Sequence, residues 1–102
     1  MLNGILRIAL IPAYQPDSRL TELVMELCRR GFTVIIVNDG SGEAYRDIFA
    51  EAAKYSVVLE HTVNCGKGCA LKTGLCYIAN TFHEPYVVVT LDADGQHRSE
   101  EH

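Results

Sequence analysis

The sequence has no tryptophan, only three prolines and no C-x-x-C pair, and each shortage narrows the field before any motif is read. The four cysteines Cys28, Cys65, Cys69 and Cys76 have no histidines at zinc-site spacing beside them. They read as reduced thiols in a cytoplasmic setting, serving as small apolar residues at packed positions. Basic residues are also short: nine Lys and Arg against thirteen Asp and Glu give a net charge of −4, which argues against a nucleic-acid partner. A small phosphorylated ligand is still open, because one lysine, a metal ion and helix N-termini can hold it locally. No apolar run approaches the roughly 20 residues of a membrane span. Residues 1–7 lack the basic leader and long apolar core of a secretory signal. There is no internal repeat and no low-complexity stretch. What remains, with 48% hydrophobic and 22% charged residues, is ordinary globular composition for a single domain over residues 1–102.

The most informative stretch is Val87-Val88-Val89-Thr90-Leu91-Asp92-Ala93-Asp94-Gly95-Gln96-His97. A β-branched run after Pro85, closed by Gly95, reads as a strand covered on both faces. It delivers two carboxylates, one residue apart, to a turn. Hard oxygen donors of this kind suit Mg2+ or Mn2+, and Asp92 and Asp94 are the candidate ligands. The rival reading is a solvated Asp-Gly turn. An EF-hand loop fails, since it needs further oxygen ligands and a glutamate at its twelfth position. His97 lies close enough in sequence to join the site, although histidine is not a preferred ligand for hard cations.

In chain order, residues 5–11 read as a first buried strand stopped by Pro12. Asp17 and Ser18 then open a helix whose apolar positions Leu20, Leu23, Val24, Leu27 and Cys28 follow the helical repeat, with Gly31 ending it. Residues 32–37 form a second strand. Tyr45, Ile48, Phe49, Ala52 and Ala53 recur at helical spacing after it, with Ser41 as candidate cap. Residues 56–60 read as a short strand and residues 61–68 as a loop. Ala70, Leu71, Leu75 and Ile78 mark a third helix, in which Gly74 costs about 1 kcal/mol against alanine and so calls for a close neighbour. Alternation of strand and helix predicts an α/β, Rossmann-like, mostly parallel sheet flanked by helices.

The unusual residues then fall on one rim. Ala13-Tyr14, Asp39-Gly40-Ser41, Gly66-Lys67-Gly68 and Asp92-Ala93-Asp94 each follow a strand, and ligands bind outside the carboxyl ends of an open parallel sheet. Gly66-Lys67-Gly68-Cys69-Ala70-Leu71 lacks the third glycine of G-x-G-x-x-G, and Lys72-Thr73 lacks the glycine a Walker motif needs before its lysine. What is left is a glycine turn carrying Lys67 to a helix N-terminus, suited either to phosphates or to solvent. Asp39 is either a turn former or a carboxylate facing a nucleoside, and Tyr14 either a packed aromatic or a platform beside a base.

Taken in order, Ile11-Pro12-Ala13-Tyr14, Val37-Asn38-Asp39-Gly40-Ser41, Asn64 to Gly74 and Leu91 to His97 resemble the N-terminal half of family 2 glycosyltransferases. The branch with dolichol-phosphate mannose and glucose synthases is the most similar. The resemblance covers nearly the whole chain. It implies a truncated GT-A nucleotide-binding half, a UDP- or GDP-sugar donor, and Mg2+ or Mn2+ on Asp92 and Asp94. It further implies that Pro12, Ala13 and Tyr14 line the nucleoside pocket, that Asp39 contacts base or ribose, and that Lys67 and Asp92 lie beside the nucleotide. Transfer would invert the anomeric centre, with no catalytic base in this fragment and the base expected downstream. A lipid phosphate acceptor at the cytoplasmic face of a membrane, and self-association through a truncated sheet edge, follow as expectations. Gln15-Pro16 and Asn38 depart from the more usual Asn-Glu and Asp of the family. The alternatives are a nucleotidyltransferase, whose glycine-rich basic first loop is missing here, and a non-catalytic α/β interaction domain.

Overall fold

Two segments, LRIALIPA and TVIIVND, contain most of the fully buried side chains, and their alternation explains why both end up in the middle of a layered molecule. The computed structural model describes residues 4–93. In it β1 (Leu6–Ala13) lies parallel to β2 (Thr33–Asp39), with Ile8 opposite Thr33 and Ala13 opposite Asn38. Successive side chains of a strand point to opposite faces. Ile8, Leu10, Ile35 and Val37 therefore build one apolar layer, while Ala9, Ile11, Val34 and Ile36 build the other. Such continuous apolar runs belong to strands buried on both sides.

The remaining elements cover these faces. Helices α1 (Arg19–Arg29) and α2 (Arg46–Ala52) supply Leu20, Val24, Leu27 and Phe49 to one layer, and α3 (Lys67–Thr81) supplies Ala70 and Ile78 to the other. Strand β3 (Val57–His61) adds to β2, and β4 (Tyr86–Thr90) adds to the far side of β1. Among the described residues the sheet is four-stranded, parallel throughout and ordered β3-β2-β1-β4. This is the Rossmann-like α/β architecture that the strand–helix alternation predicts.

Several local expectations are corrected. β4 is not covered on both faces: it is an outer strand among the described residues, and Val87 is 48% exposed. Helix α3 begins at Lys67, within the segment expected to be loop, and Ala70 N–H donates to Gly66 O at its first turn. The first helix ends as expected, with Gly31 N–H on Cys28 O and Phe32 N–H on Leu27 O, the paired bonds of a Schellman motif. Cys28, however, is exposed, as are all four cysteines, so none occupies a packed position. A 3-10 turn, Glu43–Tyr45, precedes α2, and Ser41 caps neither. Among the described residues no helix is long and apolar enough to cross a membrane.

Strand order decides where a ligand fits. The chain moves from β1 outward to β2 and β3, and α3 then carries it back across the sheet to β4. The direction of winding therefore reverses between β1 and β4. A crevice opens outside their carboxyl ends at such a switch point.

Candidate functional site

The crevice at the switch point is real. A cavity of about 360 Å3 lies there, its walls including Pro12, Tyr14, Arg19, Lys67, Asp92 and Ala93. Pro12 does not stop β1 as expected: the ladder runs through it to Ala13, opposite Asn38, and Tyr14 follows, 52% exposed, so an aromatic side chain is offered at the mouth. Ala13 is buried in the core layer shared with α1 and α2 and does not itself line the cavity. Gln15 holds a left-handed backbone, φ 52°, uncommon for a residue with a Cβ. The cause is a tether: Gln15 N–H donates to the Ser41 hydroxyl at 2.9 Å, tying the loop after β1 to the loop after β2. That is the role of Ser41, in place of the expected helix cap.

Across the crevice, the register of β4 brings Leu91 N–H onto Leu10 O at 3.1 Å and leaves Asp92 just past the strand end. The Lys67 ammonium donates to Asp92 Oδ1 at 3.2 Å. Two candidates that are 25 residues apart in sequence thus meet, one from the N-terminus of α3 and one from the end of β4. The lysine is half exposed and the aspartate only 19% exposed, so this carboxylate already receives positive charge at the floor of an open cavity. Such an oxygen donor fits a hard divalent ion. Asp94, the second expected ligand, and His97 lie outside the described residues.

Arg19 was not anticipated from the sequence. It enters the cavity wall from the first turn of α1, and its guanidinium and backbone N–H both bond to Asp17, which holds the Asp17 carboxyl below its usual range. Its position directly after the β1 loop was the available signal. The cavity therefore sets two cationic side chains, Arg19 and Lys67, among carboxylates, a mixture suited to an anionic ligand that brings a metal ion with it. A larger cavity of about 580 Å3 lies between α2 and the end of β3. It holds none of Pro12, Tyr14, Lys67 or Asp92, and it is away from the switch point.

Asp39 is bonded within the chain. It is buried, and both carboxylate oxygens are filled from within the chain. Oδ1 meets His61 Nδ1 at 2.7 Å and accepts from Cys65 N–H at 2.9 Å; Oδ2 accepts from Asn64 Nδ2 at 3.1 Å and Gly66 N–H at 2.9 Å. A carboxylate offers about four acceptor directions, and in this structure four partners from the chain itself meet them. Asp39 instead latches the 61–66 segment onto the end of β2 and so sets the start of α3 that carries Lys67. Burial by itself pushes its carboxyl up, but the Cys65 N–H, His61 and the Gly66 N–H outweigh it and hold the group below the usual carboxylate range. Gly40 completes the latch: its φ is +71°, and a Cβ there would stand 2.3 Å from the backbone of Val63 and Asn64.

The same latch gathers His61, Cys65 and Cys69, whose ligand atoms all lie within 4.8 Å of one another. A hydrogen bond to Cys69, with desolvation adding, pushes the Cys65 thiol up. The spacing of the three, H-x3-C-x3-C, matches neither a C-x-x-C pair nor the usual zinc-site histidine spacing, and the thiols are exposed rather than packed.

With the geometry in place, comparison with known proteins gives a consistent result. Residues 8–101 match the family model described as glycosyl transferase family 2. The chain is 34% identical over 91 residues to an uncharacterized protein of Methanocaldococcus jannaschii, covering 85% of this chain and 35% of that one. It is 30% identical over 99 residues to a dolichyl-phosphate beta-glucosyltransferase of Trichomonas vaginalis, covering 83% of this chain and 29% of that one. The chain thus spans about a third of the length of these curated relatives. A doubly wound parallel sheet, a charged crevice at its switch point and a family match over nearly all of its length place this chain in glycosyl transferase family 2.

Proposed function

We propose that this chain is the donor-binding part of a metal-dependent, inverting glycosyltransferase that takes a nucleotide-diphosphate sugar, with UDP or GDP as the nucleotide. The observation that carries the reading is the Lys67–Asp92 pair at the floor of the β1–β4 crevice. Pro12 and Tyr14 form the wall suited to a nucleoside, with the buried Ala13 between them in sequence, and the exposed Tyr14 offers a stacking face. Lys67, with Arg19 in the same cavity wall, meets the charge of the diphosphate. Asp92 and Asp94 would hold Mg2+ or Mn2+, which when bound offsets charge on the leaving diphosphate. Asp39 acts indirectly by fixing the turn that presents Lys67. A lipid phosphate is the acceptor class suggested by the dolichyl-phosphate relative, with transfer at the cytoplasmic face of a membrane.

Calorimetric titration of UDP and GDP, with and without Mn2+, into the chain and its Asp92→Asn and Asp94→Ala variants tests this. Metal-dependent binding of one nucleotide, lost in both variants, is the expected result. Binding that ignores both the metal and the two substitutions would refute it.

A further inference from the structure

We propose a second metal site, built from His61, Cys65 and Cys69 and selective for a thiophilic ion of the zinc class. Three unlike elements of local structure make it. His61 is the last residue of β3, Cys65 immediately precedes Gly66 at the helix cap, and Cys69 lies in the first turn of α3. Their ligand atoms lie within 4.8 Å of one another. Around a tetrahedral zinc, Zn–S distances near 2.3 Å put neighbouring sulfurs about 3.8 Å apart. Closing the difference takes a rotamer adjustment of two exposed thiols. Two thiolates and an imidazole are soft and borderline donors, the opposite of the hard oxygens at Asp92, so the two sites sort different metals.

A further observation favours an ion over a chance grouping of thiols. His61 Nδ1 is held by the buried Asp39 carboxylate at 2.7 Å, and His61 itself is only 13% exposed. A carboxylate bonded to the far nitrogen of a metal-binding imidazole is the usual outer support of such ligands, fixing both tautomer and ring direction. Nε2 is then the nitrogen left for the ion, in exchange for its present hydrogen bond to Thr73 Oγ1 at 2.8 Å. Exposure of both cysteines leaves the fourth position to water or an incoming ligand. Because Cys65 and Cys69 stand on either side of Lys67, an ion here ties the end of β3 to the first turn of α3 around the residue that faces Asp92.

The test uses Co2+ as an optical stand-in for zinc, titrated anaerobically into the reduced chain. The expected result is a sulfur-to-cobalt charge-transfer band that saturates at one ion per chain and is bleached by added Zn2+. Cys65→Ser and Cys69→Ser should each weaken cobalt binding at least tenfold, and the double variant should abolish the band. Cys28→Ser and Cys76→Ser should leave it unchanged, and His61→Gln should lower affinity and shift the visible cobalt spectrum. Circular dichroism confirms that the serine variants, altered only at exposed positions, keep the fold. Absence of the band, its survival in the double variant, or an identical spectrum in a folded His61→Gln protein would overturn the proposal.

Discussion

Asp39 and Asp92 are both carboxylates at the carboxyl ends of parallel strands, and burial separates their work. Asp39 is 3% exposed and filled by two backbone N–H groups, an amide and an imidazole. Asparagine there keeps the size but removes the charge and turns an N–H toward a donor. Asp39→Asn should cost about 2–3 kcal/mol, the scale of losing charge-assisted hydrogen bonds to buried donors. Its native carboxyl titrates below the unfolded value, so the stabilisation is complete above the ordinary carboxylate range and is lost as pH falls through the lowered native value. The difference between wild type and Asp39→Asn in urea unfolding should therefore be full at pH 7 and shrink in acid; a gap that widens on acidification would contradict this. Lys67–Asp92 is the contrasting case. Its lysine is half exposed, and ion pairs of that kind stabilise by roughly 0–1 kcal/mol. Lys67→Ala should leave the unfolding midpoint nearly unchanged while weakening diphosphate binding; a large stability loss with unaltered nucleotide affinity would make the pair structural.

At the scale of elements, α3 sits directly on the sheet because one of its positions has no side chain. Gly74 is buried, and a Cβ there would lie 2.3 Å from Leu10 Cδ1. Leu10 is fully buried, so it has no free space into which to turn. Alanine gains about 1 kcal/mol of helix propensity. Overpacking a filled core costs about 1–3 kcal/mol, so Gly74→Ala should be net destabilising, by up to about 2 kcal/mol. Chemical unfolding measures it, and a stabilised Gly74→Ala protein would show that α3 rides further from β1 than the structure has it.

At the scale of the whole molecule, the described sheet ends in β3 on one side and β4 on the other, each with a neighbour on one flank only. Strand edges of this kind recruit further strands, and β4 adds a 48%-exposed Val87. Sedimentation velocity over a range of concentrations should show reversible self-association that Val87→Lys suppresses. A sedimentation coefficient independent of concentration would exclude it.

What the sequence determined by itself is local. Hydrophobic runs and their periods located the four strands and three α-helices of the described residues, because strand and helix patterns are written in neighbouring residues. The rim was legible too, since turn residues after strands of a parallel sheet must share one side. Tertiary structure decided the rest. Only the order β3-β2-β1-β4 makes β4 an outer strand and puts the crevice between β1 and β4. Only packing shows that Asp39 is spent on its own chain, because the four groups that fill it lie 22 to 27 residues away. His61, Cys65 and Cys69 are close in sequence, but only the strand end folded against the helix start shows that their ligand atoms converge.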